Sequence, residues 1–225
     1  MVDKISKEKI QSLKKNILTM ARYIQEILNK LEVAVIEKNS TMNHIVLFSE
    51  DIISDYYNNI FKEYNGIYSI IDARGKNLRL LAMTNHLINV LYQIGLSLVE
   101  ISKTNKFLIN INTPFFNEQL KLSFKTLKAM TRETIDNFIS FSYEKSNKIC
   151  KMQNFLQKII DNLEFEIIDF IKESGESCDK ILKVYNIFKA INQIGNNIIK
   201  INETSFYIEN AKIYKCTNGT LDEKM

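Results

Sequence analysis

The chain has 225 residues, 45% of them hydrophobic, and a formal net charge of +4 from 30 basic and 26 acidic residues. That is enough apolar material for a buried core, and the charges are mixed along the chain, with no polybasic arm to mark a nucleic-acid binder. One proline and six glycines, far below the usual shares of about 5% and 7%, remove the punctuation of β-turns and favour long helices.

The first predicted helix covers residues 4–38, where Leu13, Ile17, Met20, Ile24, Ile27, Leu31 and Ala34 lay one apolar stripe in steps of three and four. The lysines between Lys4 and Lys15 alternate with Ile5, Ile10 and Leu13 and read as a solvated face, which allows peripheral membrane association at most. The same charges interrupt any secretory signal, and no run of about 18 apolar residues occurs, so a cytoplasmic protein is expected. After Lys38-Asn39-Ser40-Thr41, where Ser or Thr offers a cap, a second helix carries Ile45, Phe48, Ile52, Tyr56 and Ile60 until Asn65-Gly66 stops it. A third carries Leu80, Leu87, Val90 or Leu91, Ile94, Leu98 and Ile101 and ends near Lys103.

Residues 104–114 read as a linker, with Thr113 as a cap and Pro114 at the first helical position. The expected division is a bundle over 1–108 and a second over 109–225. Three further stripes follow: Leu120, Phe124, Leu127, Met130 and Phe138; Ile149, Met152, Leu156, Ile159, Leu163 and Ile167; then Ile181, Val184, Phe188, Ile191, Ile194, Ile198 and Ile201. The polar cluster Glu173–Ser177 separates the last two, and the tail after Cys216 is expected to fray. The fold class is therefore all-α, two tandem three-helix bundles related by internal duplication.

The duplication is visible in Leu91-Tyr92-Gln93-Ile94-Gly95, which recurs as Ile191-Asn192-Gln193-Ile194-Gly195 at an offset of 100 with the flanking apolar register preserved. A glycine inside a helix costs roughly 0.5–1 kcal/mol relative to alanine, so Gly95 and Gly195 ask for a reason: close helix approach, or backbone left open to a ligand.

Catalytic signatures are missing. No P-loop, G-x-G-x-x-G, G-x-S-x-G or H-E-x-x-H occurs, and the two histidines, His44 and His86, lack a glutamate three residues before them. His86 reads as a packing histidine. Cys150, Cys178 and Cys216, odd in number and without C-x-x-C spacing, read as free thiols in a reducing cytoplasm, with Cys150 a small core residue. The chain is not expected to be an enzyme.

Asn77-Leu78-Arg79 followed by Leu91-Tyr92-Gln93-Ile94-Gly95-Leu96, and Ile191–Ile198 followed by Ile201-Asn202-Glu203-Thr204-Ser205, resemble the repeat motifs of the PhoU family of phosphate-uptake regulators. The resemblance implies a cytoplasmic, commonly dimeric regulator that carries a phosphate signal between a phosphate ABC-transporter ATPase and a sensor histidine kinase. It also implies a place for metal, since family members hold ions through acidic pairs four residues apart on one helical face.

The motif's acidic positions fall here on Tyr92 and Leu96 in the first repeat and on Asn192 and Asn196 in the second. Their partners on the preceding helix align with Glu50 and Ser54, and with Gln157 and Asp161. So few carboxylates would hold a divalent or ferric ion only weakly, with Glu50, Asp55 and Asp161 as its candidate ligands; a solvated helix face for Glu50, Asp51, Asp55 and Asp161 is the plainer alternative. No cofactor is expected otherwise. Gln93 and Gln193 stand where the family has arginine. With Arg79, Gly95, Asn192, Gly195 and Asn196 they mark the repeat motif and the surface a partner would use; Arg79 pairs with a local acid or faces that partner.

Overall fold

A computed structural model describes residues 2–69, 73–108, 114–174 and 178–224. Among them the chain forms α1 (Val2–Ile36), α2 (Ser40–Leu47), α3 (Ser49–Tyr68), α4 (Gly75–Leu108), α5 (Pro114–Ile139), α6 (Tyr143–Ser174) and α7 (Cys178–Asn210), then strands β1 (Tyr214–Thr217) and β2 (Thr220–Glu223). The expected cap at Thr113 and the Gly175–Ser177 part of the polar break lie outside the described residues.

The apolar stripes face inward as their spacing requires. Leu13, Met20, Ile27, Leu31, Phe124, Leu127, Val184 and Phe188 are all fully buried, and each such side chain contributes roughly 1.5–3 kcal/mol. One contiguous core runs from Ile10 on α1 to Ile208 on α7. The most extensive helix contact joins the repeats, α4 against α7. These two run antiparallel: Arg79 near the start of α4 meets the end of α7 at Ile208, while Leu87, Leu91 and Ile94 share a crevice with Ile198 and Ile201.

Four local expectations are corrected. The second predicted helix is two, α2 and α3, because the Ser49 hydroxyl donates to the Val46 carbonyl (2.6 Å) and the chain bends at Phe48. Its cap is Asn39 rather than Ser or Thr, with Asn39 Oδ1 accepting from the Met42 amide at 3.0 Å. Gly66 does not stop α3, which continues to Tyr68. Thr104-Asn105 does not end α4 either: the buried Asn105 Nδ2 donates to the Ala34 carbonyl (3.2 Å) and Asn43 Oδ1 (3.0 Å), so its donor is satisfied across helices, while its Oδ1 has no partner among the described residues.

The tail is ordered rather than frayed. Asn218 (φ 51°) and Gly219 (φ 84°) form the two-residue turn that asparagine-glycine favours, pairing Cys216 with Leu221. Leu221 packs with Phe206 and Cys150, and the Phe206 and Tyr214 rings lie 3.9 Å apart. Cys150 and Cys216 are joined by a disulfide. The reading of three free thiols thus fails for two of them, because folding brings residues 66 apart in sequence to a Cα separation of 5.4 Å. Cys178 remains free and exposed.

A buried polar knot ties the first two helices of each repeat to the third. In the first repeat the Ser102 hydroxyl donates to the carbonyl (3.0 Å) and Oδ1 (2.8 Å) of Asn43. In the second, Asn202 Nδ2 donates to the Ser146 carbonyl (3.1 Å), and Asn202 Oδ1 accepts from Asn137 (3.2 Å). Removing the amide strands its buried partners, so Asn202→Ala is expected to cost about 1–3 kcal/mol, measurable by urea denaturation.

Candidate functional site

The two glycines of the repeat allow helices to touch. A Cβ on Gly95 would lie 2.8 Å from Ile53 Cγ2, and one on Gly195 only 2.1 Å from Gln153 Oε1 and 2.8 Å from Leu156 Cδ2. Close helix approach is therefore the use of both, and it brings α3 against α4 and α6 against α7 at the motif positions.

In the second repeat this contact is a chain of amides. Gln153, Gln157 and Asp161 are spaced four apart and share a face of α6, as Asn192 and Asn196 do on α7. Gln153 Nε2 donates to Asn192 Oδ1 (3.0 Å) and Asn196 Oδ1 (2.7 Å). Asn192 Nδ2 donates to Gln157 Oε1 (2.7 Å), and Gln157 Nε2 to Asp161 Oδ1 (2.7 Å). Gln153 Oε1, buried against Gly195, has no hydrogen-bond partner among the described residues.

In the first repeat the same contact is aromatic. Tyr57 lies 5.0 Å from Tyr92 between ring centroids and continues through Phe61 (6.0 Å), Tyr64 (6.4 Å) and Tyr68 (5.5 Å). The Tyr57 hydroxyl donates to Asn89 Oδ1 (3.3 Å), and the Tyr92 hydroxyl lies 3.5 Å from Ser54 Oγ. Burial raises the Tyr64 pKa above its ordinary value, with a smaller contribution from Tyr68.

These contacts correct the alignment between repeats. Ile53 faces Gly95 as Gln153 faces Gly195, and Tyr57 meets Tyr92 as Gln157 meets Asn192. The 100-residue offset therefore holds on α3 and α6 as well, and the counterparts of Gln157 and Asp161 are Tyr57 and Phe61, not Glu50 and Ser54. A slip of seven residues is two helical turns, so the apolar stripe looks the same in either register.

Glu50, Asp55 and Asp161 are not brought together. Glu50 pairs with Lys103 at 3.2 Å; Asp55 stands five residues on and exposed, some 140° round the helix; Asp161 is exposed on α6. Among the described residues no group of three or more His, Cys, Asp or Glu could hold a metal ion. Amides, phenols and one carboxylate per face do not match what a multinuclear cation site demands. Addition of a chelator is accordingly expected to leave the thermal melting curve unchanged, which calorimetry with and without EDTA checks.

Gln93 and Gln193 are exposed beside the contact. Arg79 joins the repeats: Nε donates to the Ile208 carbonyl (2.8 Å) and an Nη to that of Glu209 (3.1 Å), capping the last turn of α7, while Lys76 pairs with the Glu209 carboxylate. Its acceptors within the chain are backbone carbonyls rather than a local acid. Sequence reasoning missed Gln153; the signal that finds it is Ile53 carried forward by 100. His86 is exposed and lies over α7 rather than packed in a core.

Two repeats of one three-helix unit are joined face to face along their third helices, α4 and α7, and solved structures share this fold. The chain aligns with PhoU from Pseudomonas aeruginosa at a TM-score of 0.85 and 16% identity, covering 91% of this chain and 99% of that one. It aligns with the phosphate transport system regulatory protein PhoU from Streptococcus pneumoniae at 0.83 and 18%, covering 92% and 98%. In sequence it is 19% identical over 220 residues to the phosphate-specific transport system accessory protein PhoU homolog 2 of Thermotoga maritima, covering 98% of this chain and 94% of that protein. It is 22% identical over 213 residues to the PhoU homolog of Borreliella burgdorferi, covering 91% and 94%. No family model matches the chain. The chain is thus similar to PhoU proteins in sequence over nearly its full length and shares their fold.

Proposed function

We propose that the chain is a non-catalytic accessory of phosphate transport that acts by protein contacts, with the transporter's ATPase and a sensor histidine kinase as its partners. The observation that carries this reading is the end-to-end likeness to proteins named as phosphate-transport accessories, in sequence and in fold. Among the described residues no helix is long and apolar enough to cross a membrane, which suits a protein that meets a transporter from one side. An α-helical adaptor switches by binding one partner state better than another. A homodimer on the cytoplasmic face is part of the proposal.

The test is recovery of tagged full-length chain from cells grown in high and in low phosphate. The ATPase or the kinase should be enriched in at least one condition; enrichment of neither in both would sink the reading. The Cys150–Cys216 bond runs against a fully reducing compartment, so thiol alkylation of the protein in fresh extracts checks the cytoplasmic placement separately.

A further inference from the structure

Between α4, α7 and the hairpin lies an open groove of about 520 Å³, within the range of about 300–1,000 Å³ typical of small-molecule sites. Its two ends differ in chemistry. Because α4 and α7 are antiparallel, His86 on α4 lies toward Lys200 on α7, and Met83 lies toward Tyr207. Lys215 of β1 joins the first end, since its charge and that of Lys200 both act on His86.

The charges there are partly spent. Lys215 Nζ pairs with Glu203 Oε2 at 2.6 Å, and Glu203 Oε1 accepts the Cys216 amide at 2.9 Å. Lys200 Nζ donates to the neutral Asn197 Oδ1 at 2.9 Å and so keeps an uncompensated charge. The His86 imidazole has no hydrogen-bond partner among the described residues. At the other end Ile213 is 58% exposed, beside Met83 and a Tyr207 whose hydroxyl is likewise unpartnered among the described residues.

A tetrahedral oxyanion suits the first end, where two ammonium groups and an imidazole converge from different elements; a carboxylate offers acceptors in one plane only. A free ion would leave the apolar end empty. From Lys200 to Tyr207 is seven residues, about 10 Å along the helix, which leaves room for a planar body against Tyr207, Met83 and Ile213. We propose that this groove binds a phosphomonoester of the nucleoside-monophosphate class, its phosphate held by His86, Lys200 and Lys215 and its base resting on Tyr207.

Affinity depends on pH in a defined sense. Partial desolvation in the groove, then the charges of Lys200 and Lys215, lower the His86 pKa below the ordinary 6.5, so the ring is neutral at neutral pH and gains a charge as pH falls. The other groups facing it are Glu203 on α7 and Tyr214 on β1. A bound dianion favours the charged ring, so binding tightens on acidification.

Calorimetric titration of the full chain with adenosine 5′-monophosphate, adenosine and inorganic phosphate tests the proposal. The nucleotide should bind with one-to-one stoichiometry, at least about tenfold tighter than either fragment, and tighter at about pH 6 than at about pH 8. Lys200→Gln and Tyr207→Ala should each weaken it at least about tenfold. His86→Ala should abolish the tightening on acidification, leaving only the weakening that follows protonation of the phosphate at about pH 6, and Lys121→Gln on α5 should change nothing. All four positions are exposed or half-buried, and circular dichroism confirms that the variants fold. No binding at millimolar nucleotide, inorganic phosphate or adenosine binding as tightly as the nucleotide, or unchanged affinity in Lys200→Gln would each overturn it.

Discussion

Gly95→Leu is expected to cost about 3 kcal/mol or more, and Gly95→Ala up to about 2 kcal/mol despite the better helix propensity of alanine. The first added atom alone would lie 2.8 Å from Cγ2 and 2.9 Å from Cδ1 of Ile53, which is fully buried. A β-branched side chain in a helix has one strongly preferred χ1, so Ile53 cannot swing aside and α3 must move away from α4. Gly66 supplies the contrast within the same protein: it is helical, exposed, and a Cβ there meets nothing within 4 Å. Gly66→Ala should therefore stabilise by about 1 kcal/mol. Denaturant titration of the three variants decides the matter; equal stabilisation by alanine at both positions would mean that α3 and α4 are not in contact at Gly95.

Cys216→Ser is expected to lower stability by roughly 2–4 kcal/mol under non-reducing conditions, since the lost bond closes a loop across a sequence separation of 66. The loss should localise. The hairpin is held to α6 by this bond, by the Leu221 contact, and by the Tyr143 hydroxyl donating to the Leu221 carbonyl at 3.3 Å. Amide exchange in β1 and β2 should thus rise more than in α7, whose Ile191, Ile194 and Ile198 lie in the main core. Dithiothreitol should bring the wild-type melt down to that of the variant. A melt insensitive to both reductant and substitution would show that the two sulfurs are not bonded in solution.

The long helices were legible because one physical signal, the apolar stripe, repeats several times in each and is averaged over many residues. Where a single polar side chain decides, that signal is silent. Ser49 splits a helix that the stripe through Ile45, Phe48 and Ile52 runs straight across, and Asn105 fails to end one because its partners come from other helices. The motif glycines were legible as a close approach, but not what approaches them: the facing helix could be slid by two turns without disturbing its stripe. Hence the stripe allows Glu50 and Ser54 to align where Tyr57 and Phe61 belong, and Gln153 carries no mark of its own as one polar residue on a mostly polar face. The disulfide left no local trace at all. Asn218-Gly219 did, as a hairpin signal, yet it sits where a helical chain was expected to dissolve into solvent.

The antiparallel contact of α4 with α7 has a consequence in time. Leu87, Leu91 and Ile94 are covered in part by Ile198 and Ile201, and Arg79 finds its acceptors 129 and 130 residues later in the chain. A ribosome adding about 5–20 residues per second therefore leaves this face of α4 bare for roughly 5–20 seconds before α7 emerges. During that interval the nascent first repeat presents an oily strip, and chaperone engagement should peak while α5 and α6 are being made.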